Sequence, residues 1–142
     1  MGDTAFKDMA VLRELARYVF SYGAELDRYT AEDLEDSKRL YGAMYLLMSQ
    51  SQALIDMAER AVSLLGLSAR GYIDAGRQLM IHGVFTENDF KLYMNIVKFR
   101  NVLVHKYQLV KIEIVKDIVL NRRYKQLIDL ALKIVERFGE DP

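Results

Sequence analysis

Proline occurs once in this 142-residue chain, as its last residue, Pro142. Without an interior proline, no ring breaks a helix and no backbone donor is missing. Apolar residues meanwhile recur at three-to-four spacing along most of the length. The first helix is expected from about Thr4 to Tyr29, with Phe6, Met9, Leu12, Ala16, Val19, Phe20 and Gly23 on its inner face. Thr30 followed by Ala-Glu-Asp reads as the N-cap of a second helix extending to about Leu65, where Gly66 stops it. Leu40 to Met57 is apolar on most sides, as suits a central helix. Ser49, Gln50, Ser51 and Gln52 interrupt it, and those facing inward need hydrogen-bond partners. A short helix over Tyr72–His82 ends at Gly83, with His82 capping it; Thr86-Glu-Asn-Asp89 then opens a fourth helix with Leu92, Ile96, Phe99 and Leu103 inward. After a joint at Gln108–Lys111, one last helix is expected from about Lys111 to Phe138, stopping at Gly139. Ile112–Val119, rich in β-branched residues, is the only place a strand competes. The expected fold is all-α: an antiparallel bundle of four or five helices in a single domain over residues 1–142.

Several chemistries lack their residues. Cysteine is absent, so disulfides and thiolate metal sites are excluded. With two histidines and no paired carboxylates beside either, no metal site is expected; no glycine-rich phosphate loop is present, and no cofactor is expected. The longest apolar run, Ala43–Met48, is far too short for a membrane span, and Asp3, Lys7 and Asp8 break any leader-like stretch, so a cytoplasmic location is expected. The net charge is zero but uneven. Residues 1–60 carry 11 acids against 7 bases, and residues 61–142 carry 9 against 13. Between Lys91 and Lys125, nine bases face only Glu113 and Asp117, which permits phosphate contacts.

Within that basic segment stands Arg100-Asn101-Val102-Leu103-Val104-His105-Lys106-Tyr107. At roughly 100° per residue, a helix puts Arg100 and Tyr107 on one stripe and Lys98, Asn101 and His105 on a second. The stripes lie about 140° apart, so Arg100 and His105 need a bend or a second subunit to converge. A cation, an imidazole and two hydrogen-bonding groups are what a site for a phosphodiester would use. The competing reading is structural: His105 as a satisfied helix residue, and Tyr107 as a ring that packs the helix end.

The pattern Arg-x4-His-x-Tyr, with Asn after the Arg, resembles the signature of the HEPN superfamily and, more narrowly, the HepT toxins of HEPN–MNT toxin–antitoxin pairs. The likeness covers roughly residues 38–138, including Gln52-Ala53-Leu54-Ile55-Asp56-Met57-Ala58 and the turn His82-Gly83-Val84-Phe85. It implies the same helical fold, a homodimer whose motifs face each other across a two-fold axis, and metal-independent cleavage of RNA, transfer or messenger. His105 would deprotonate a ribose 2′-hydroxyl, since imidazole titrates nearest neutrality of all side chains. Arg100 would stabilise the phosphorane, Asn101 would hold the imidazole or a phosphate oxygen, and Lys98 and Lys106 would contact RNA phosphates. Tyr107 matches the tyrosine to which the partner MNT nucleotidyltransferase transfers AMP, silencing the nuclease. Gln52 stands where relatives often carry glutamate, which weakens any acid–base role there, and Asp56 would orient Arg100 by a bidentate salt bridge. The alternative is a non-catalytic HEPN module that binds nucleotide phosphates and docks a nucleotidyltransferase.

Overall fold

The computed structural model describes residues 3–138, with side chains from residue 6 onward. Six α-helices follow one another: α1 (Asp3–Leu26), α2 (Ser37–Leu64), α3 (Tyr72–Ile81), α4 (Glu87–His105), α5 (Ile112–Leu120) and α6 (Lys125–Phe138). Two short 3-10 helices, Asp33–Glu35 and Tyr107–Leu109, complete the described elements, and no strand occurs among them. The β-branched run from Ile112 is therefore helical. The expected stop at Gly139 lies outside the described residues.

Two boundaries differ from the sequence expectation. Thr30 and Asp33 do exchange capping bonds: the Thr30 N–H donates to Asp33 Oδ2 (2.9 Å) and the Asp33 N–H to Thr30 Oγ1 (3.2 Å). What they open is the 3-10 turn that drives Leu34 into the core, and α2 starts only at Ser37, capped by Asp36. The last helix is broken in two. Arg122 adopts a left-handed backbone, φ 55°, after Asn121. The Arg123 N–H then reaches back to the Ile118 carbonyl (2.9 Å) and the Arg122 N–H to that of Val119 (3.2 Å), the Schellman closure that ends a helix. The bundle has six α-helices rather than four or five for this reason. It also changes which residues face inward: Val115, Val119 and Tyr124 are buried, while Ile114 is exposed.

α2 is the central helix, packed by α1, α3, α4 and α6. Its buried residues feed two cores. The larger gathers Leu12, Ala16 and Val19 of α1, Leu54, Met57, Ala58 and Ala61 of α2, Leu79 of α3, Tyr93 and Val97 of α4, and Leu130, Ala131 and Ile134 of α6. The smaller joins Leu26, Leu34, Leu40, Ala43 and Leu47 to Leu103 of α4 and Val115, Val119 and Tyr124. Leu103 thus fixes the last turn of α4, where the motif lies. Burying such a side chain contributes about 2 kcal/mol, so the helix end is held from inside while its outer face stays free.

The polar interruption of α2 is partly buried. Gln50 is fully enclosed and donates from Nε2 to the Val19 carbonyl (3.1 Å); Ser51 donates to the Leu47 carbonyl (2.7 Å). Asp8, on the inner side of α1, accepts from Arg60 and from Ser63 of α2, each at 3.2 Å. Phe6, expected inward, is exposed.

Candidate functional site

α4 opens with a capping box, Thr86 and Asp89 exchanging backbone-to-side-chain bonds. It runs through the motif and stops at His105. Lys106 leaves helical geometry (φ −141°, ψ 40°) while its N–H still reaches the Val102 carbonyl (2.9 Å). Tyr107 begins the 3-10 helix that follows. The helical stripe expected to carry both Arg100 and Tyr107 therefore ends before Tyr107 and does not fix their relation.

The motif side chains occupy different environments. Arg100 is half-buried: its Nη1 donates to Asn101 Oδ1 (3.0 Å), and its guanidinium carbon lies 5.5 Å from the centre of the Tyr72 ring, at the start of α3. Its Nε is enclosed with no hydrogen-bond partner among the described residues. Asn101, His105 and Tyr107 are exposed, Tyr107 by 63%, as are Lys98 and Lys106. Arg100 and His105 make no hydrogen bond to each other.

Asp56 does not hold Arg100. It accepts a 2.8 Å hydrogen bond from Gln52 Nε2, one turn away on α2, and no Arg100–Asp56 ion pair forms among the described residues. Arg100 instead takes Asn101 and the Tyr72 ring. The Gln52 Oε1 is buried without a hydrogen-bond partner among the described residues. Beside Asp56 lies Glu59, whose carboxyl is pushed up by burial and then by the charge of Asp56. Both carboxylates act on Tyr93, whose hydroxyl is pushed far up, chiefly by burial. These residues connect to Arg100 because the Tyr93 hydroxyl donates to the Tyr72 carbonyl (2.9 Å).

The nine bases of the Lys91–Lys125 segment divide cleanly. Lys91 pairs with Glu87, Lys116 with Glu35, Arg122 and Lys125 with Asp27, and Arg123 with Asp117. Lys98, Arg100, Lys106 and Lys111 have no carboxylate partner among the described residues. The cations left over are those that bracket His105. His82, by contrast, serves its helix end as expected, its Nδ1 lying 2.9 Å from the Gln78 carbonyl. Among the described residues no cluster of three or more His, Cys, Asp or Glu is placed to hold a metal ion. No helix there is long and apolar enough to cross a membrane. Tyr72 was not legible as part of this site, since nothing in its spacing ties it to the motif.

An all-α bundle with Arg-x4-His closing its fourth helix and the motif's Tyr just beyond it matches the class of HEPN proteins. Within it, the chain belongs to the ribonuclease HepT-like family, whose sequence model matches residues 10–134. No curated protein sequence matches the chain. Solved structures share the fold at low identity. YutE of Bacillus subtilis, a cytosolic protein of unknown function, superposes with a TM-score of 0.77 at 14% identity, over 92% of this chain and 93% of that one. A chain of a toxin–antitoxin crystal structure with AMP-PNP gives 0.68 at 17%, over 94% and 99%. The tri-AMPylated Shewanella oneidensis HEPN toxin in complex with its MNT antitoxin gives 0.65 at 19%, over 92% and 97%.

Proposed function

We propose that this protein is the toxin ribonuclease of a HEPN–MNT pair: a single domain over residues 1–142, acting in the cytoplasm as a homodimer on transfer or messenger RNA. The observation that carries the reading is the set of cations flanking His105 that have no carboxylate partner among the described residues, namely Lys98, Arg100, Lys106 and Lys111, in a chain of the HepT-like family. His105 takes the proton of a ribose 2′-hydroxyl. The 2′-oxygen attacks the phosphorus, the P–O5′ bond breaks as the 5′-oxygen takes a proton from water, and the product ends in a 2′,3′-cyclic phosphate. Arg100 stabilises the charge gathering on the phosphorane, Asn101 steadies Arg100 through its Oδ1, and Lys98 and Lys106 hold flanking phosphates. Gln52 and Asp56 support the site from α2. DNA lacks the attacking hydroxyl and is not a substrate.

Tyr107 is the proposed point of control. Its exposure leaves the hydroxyl open to an MNT-type nucleotidyltransferase. That oxygen attacks the α-phosphorus of ATP, loses its proton and displaces pyrophosphate. A toxin of the same fold is AMPylated in complex with its MNT antitoxin, which supports the reading. Arg100→Ala and His105→Ala should each abolish RNA cleavage with the helical circular dichroism retained, and a chelator should leave wild type active. Tyr107→Phe should stay folded and active and escape silencing by the partner with ATP. Full activity in either folded alanine variant overturns the mechanism. An inactive wild type that still docks the nucleotidyltransferase identifies a non-catalytic binding module instead.

A further inference from the structure

We propose that Tyr72 is the positioning residue for Arg100, so that α3, which contributes nothing to the motif, sets where the motif's guanidinium sits. The catalytic consequence rests on the ribonuclease reading; the positioning does not. Arginines that bind phosphate are commonly aimed by a carboxylate, but a carboxylate offers acceptor oxygens that compete with the phosphate for the same N–H groups. Arg100 is aimed differently. The Tyr72 ring lies under the guanidinium at 5.5 Å and attracts its charge through the negative face of the ring without consuming a donor. Asn101 takes one N–H at Nη1. Nη2 has no protein partner among the described residues, which leaves that end of the planar fork for a ligand.

The ring is itself held. Tyr72 is the first residue of α3, and its carbonyl accepts the hydroxyl of fully buried Tyr93 at 2.9 Å. Tyr93 is wedged between Phe85, ring centres 5.8 Å apart, and the bare backbone of Gly76, where even a methyl group would collide with its ring. Tyr93 precedes Arg100 by seven residues on the same stripe of α4. The fourth helix thus anchors on α3 the ring that seats its own arginine.

The test follows the Arg100 Nε–H resonance of the full-length protein, assigned by its loss in Arg100→Lys, alongside cleavage of mixed-sequence single-stranded RNA. Tyr72→Phe, which keeps the ring, should preserve both the resonance position and kcat. Tyr72→Leu should move the resonance toward that of a solvent-exposed arginine and lower kcat by about two- to thirty-fold, with a smaller change in KM. Wild-type behaviour of Tyr72→Leu overturns the proposal, as does Tyr72→Phe behaving like Tyr72→Leu. Should Tyr72→Leu fail to fold, Tyr93→Phe carries the test. It removes the donor to the Tyr72 carbonyl but keeps the buried ring, so the Arg100 resonance should shift or broaden, and an unchanged resonance overturns the proposal. If wild type cleaves no RNA yet the resonances shift as stated, the positioning stands and the ribonuclease reading falls.

Discussion

A methyl group added at Gly76 would lie 2.3 Å from Cδ2 and 2.6 Å from Cε2 of Tyr93. Tyr93 cannot swing aside, because it is fully buried and its hydroxyl is tied to the Tyr72 carbonyl. Alanine is favoured over glycine within a helix by about 1 kcal/mol, whereas overpacking a full core costs about 1–3 kcal/mol. The second effect should win. Gly76→Ala is expected to lower stability by about 1 kcal/mol or more, read from urea denaturation, and a variant as stable as wild type would show that the α3–α4 contact yields easily. Nothing in the sequence marks Gly76 as different from the turn glycines, since its role depends on a ring that arrives from another helix. The same holds across the candidate site. Arg100, Asn101, His105 and Tyr107 stand out because they interrupt an apolar pattern. What each one touches is decided by packing, which is why Asp56, expected to orient Arg100, takes Gln52 in the fold.

At the scale of elements, α2, α3 and α5 close in the same way, and only two of the closures could be read. Gly66 (φ 76°) and Gly83 (φ 80°) end α2 and α3 with left-handed backbone, and the N–H of the following residue reaches back five positions. Both stops are legible because glycine adopts that conformation without strain. Arg122 does the same at the end of α5 with a side chain that gives no such signal. Its junction is held by charge: Asp27, at the end of α1, receives Tyr124, Arg122 and, at 3.7 Å, Lys125. The Tyr124 hydrogen bond, helped by the two cations, holds the Asp27 carboxyl below its usual value of 3.8. Its contribution to stability is therefore present above that value and lost as pH falls through the lower folded-state value. Tyr124 goes the other way, pushed up to about 12 by burial and then by Asp27. Stability from its neutral hydroxyl is complete below pH 10 and is lost as pH climbs toward about 12. Asp27→Asn should make both limbs of a melting-temperature profile shallower, the alkaline one because Tyr124 then loses its proton nearer its unfolded value. The acid limb should persist in part, because Asp33, Asp74 and Asp117 are also held low by hydrogen bonds. An unchanged profile on both limbs would mean that the α1–α5 junction contributes nothing to the titration of stability.

For the whole molecule, the central helix leaves one stripe uncovered. Tyr41 and Tyr45 are about 60% exposed, and Met48, Gln52, Asp56 and Glu59 continue the same face half-buried. Tyr18 and Tyr22 of α1, stacked with ring centres 6.2 Å apart, flank it. Toward the C-terminal end of the stripe, Asp56 and Glu59 act on Tyr93, whose hydroxyl holds Tyr72 beneath Arg100. A second copy seated on this stripe would bury the tyrosines and bring the two motifs toward a common axis, giving His105 of one copy access to the space in front of Arg100 of the other. Two basic motifs approaching each other repel, and at close range in a partly dry interface that repulsion reaches several kcal/mol unless acids intervene. Asp56 and Glu59 lie on the same stripe and supply the opposing charge. The proposed dimer is isologous, so a single substitution acts twice on the contact. Tyr45→Glu would put an unpaired carboxylate from each copy into the desolvated contact, while on an isolated chain it alters only an exposed side chain. Sedimentation of wild type at micromolar concentration should give twice the chain mass. Tyr45→Glu should give the mass of one chain with unchanged circular dichroism, and it should lose cleavage because its sites are incomplete. A monomeric wild type, or a dimer indifferent to Tyr45→Glu, would remove the α2 stripe from the interface.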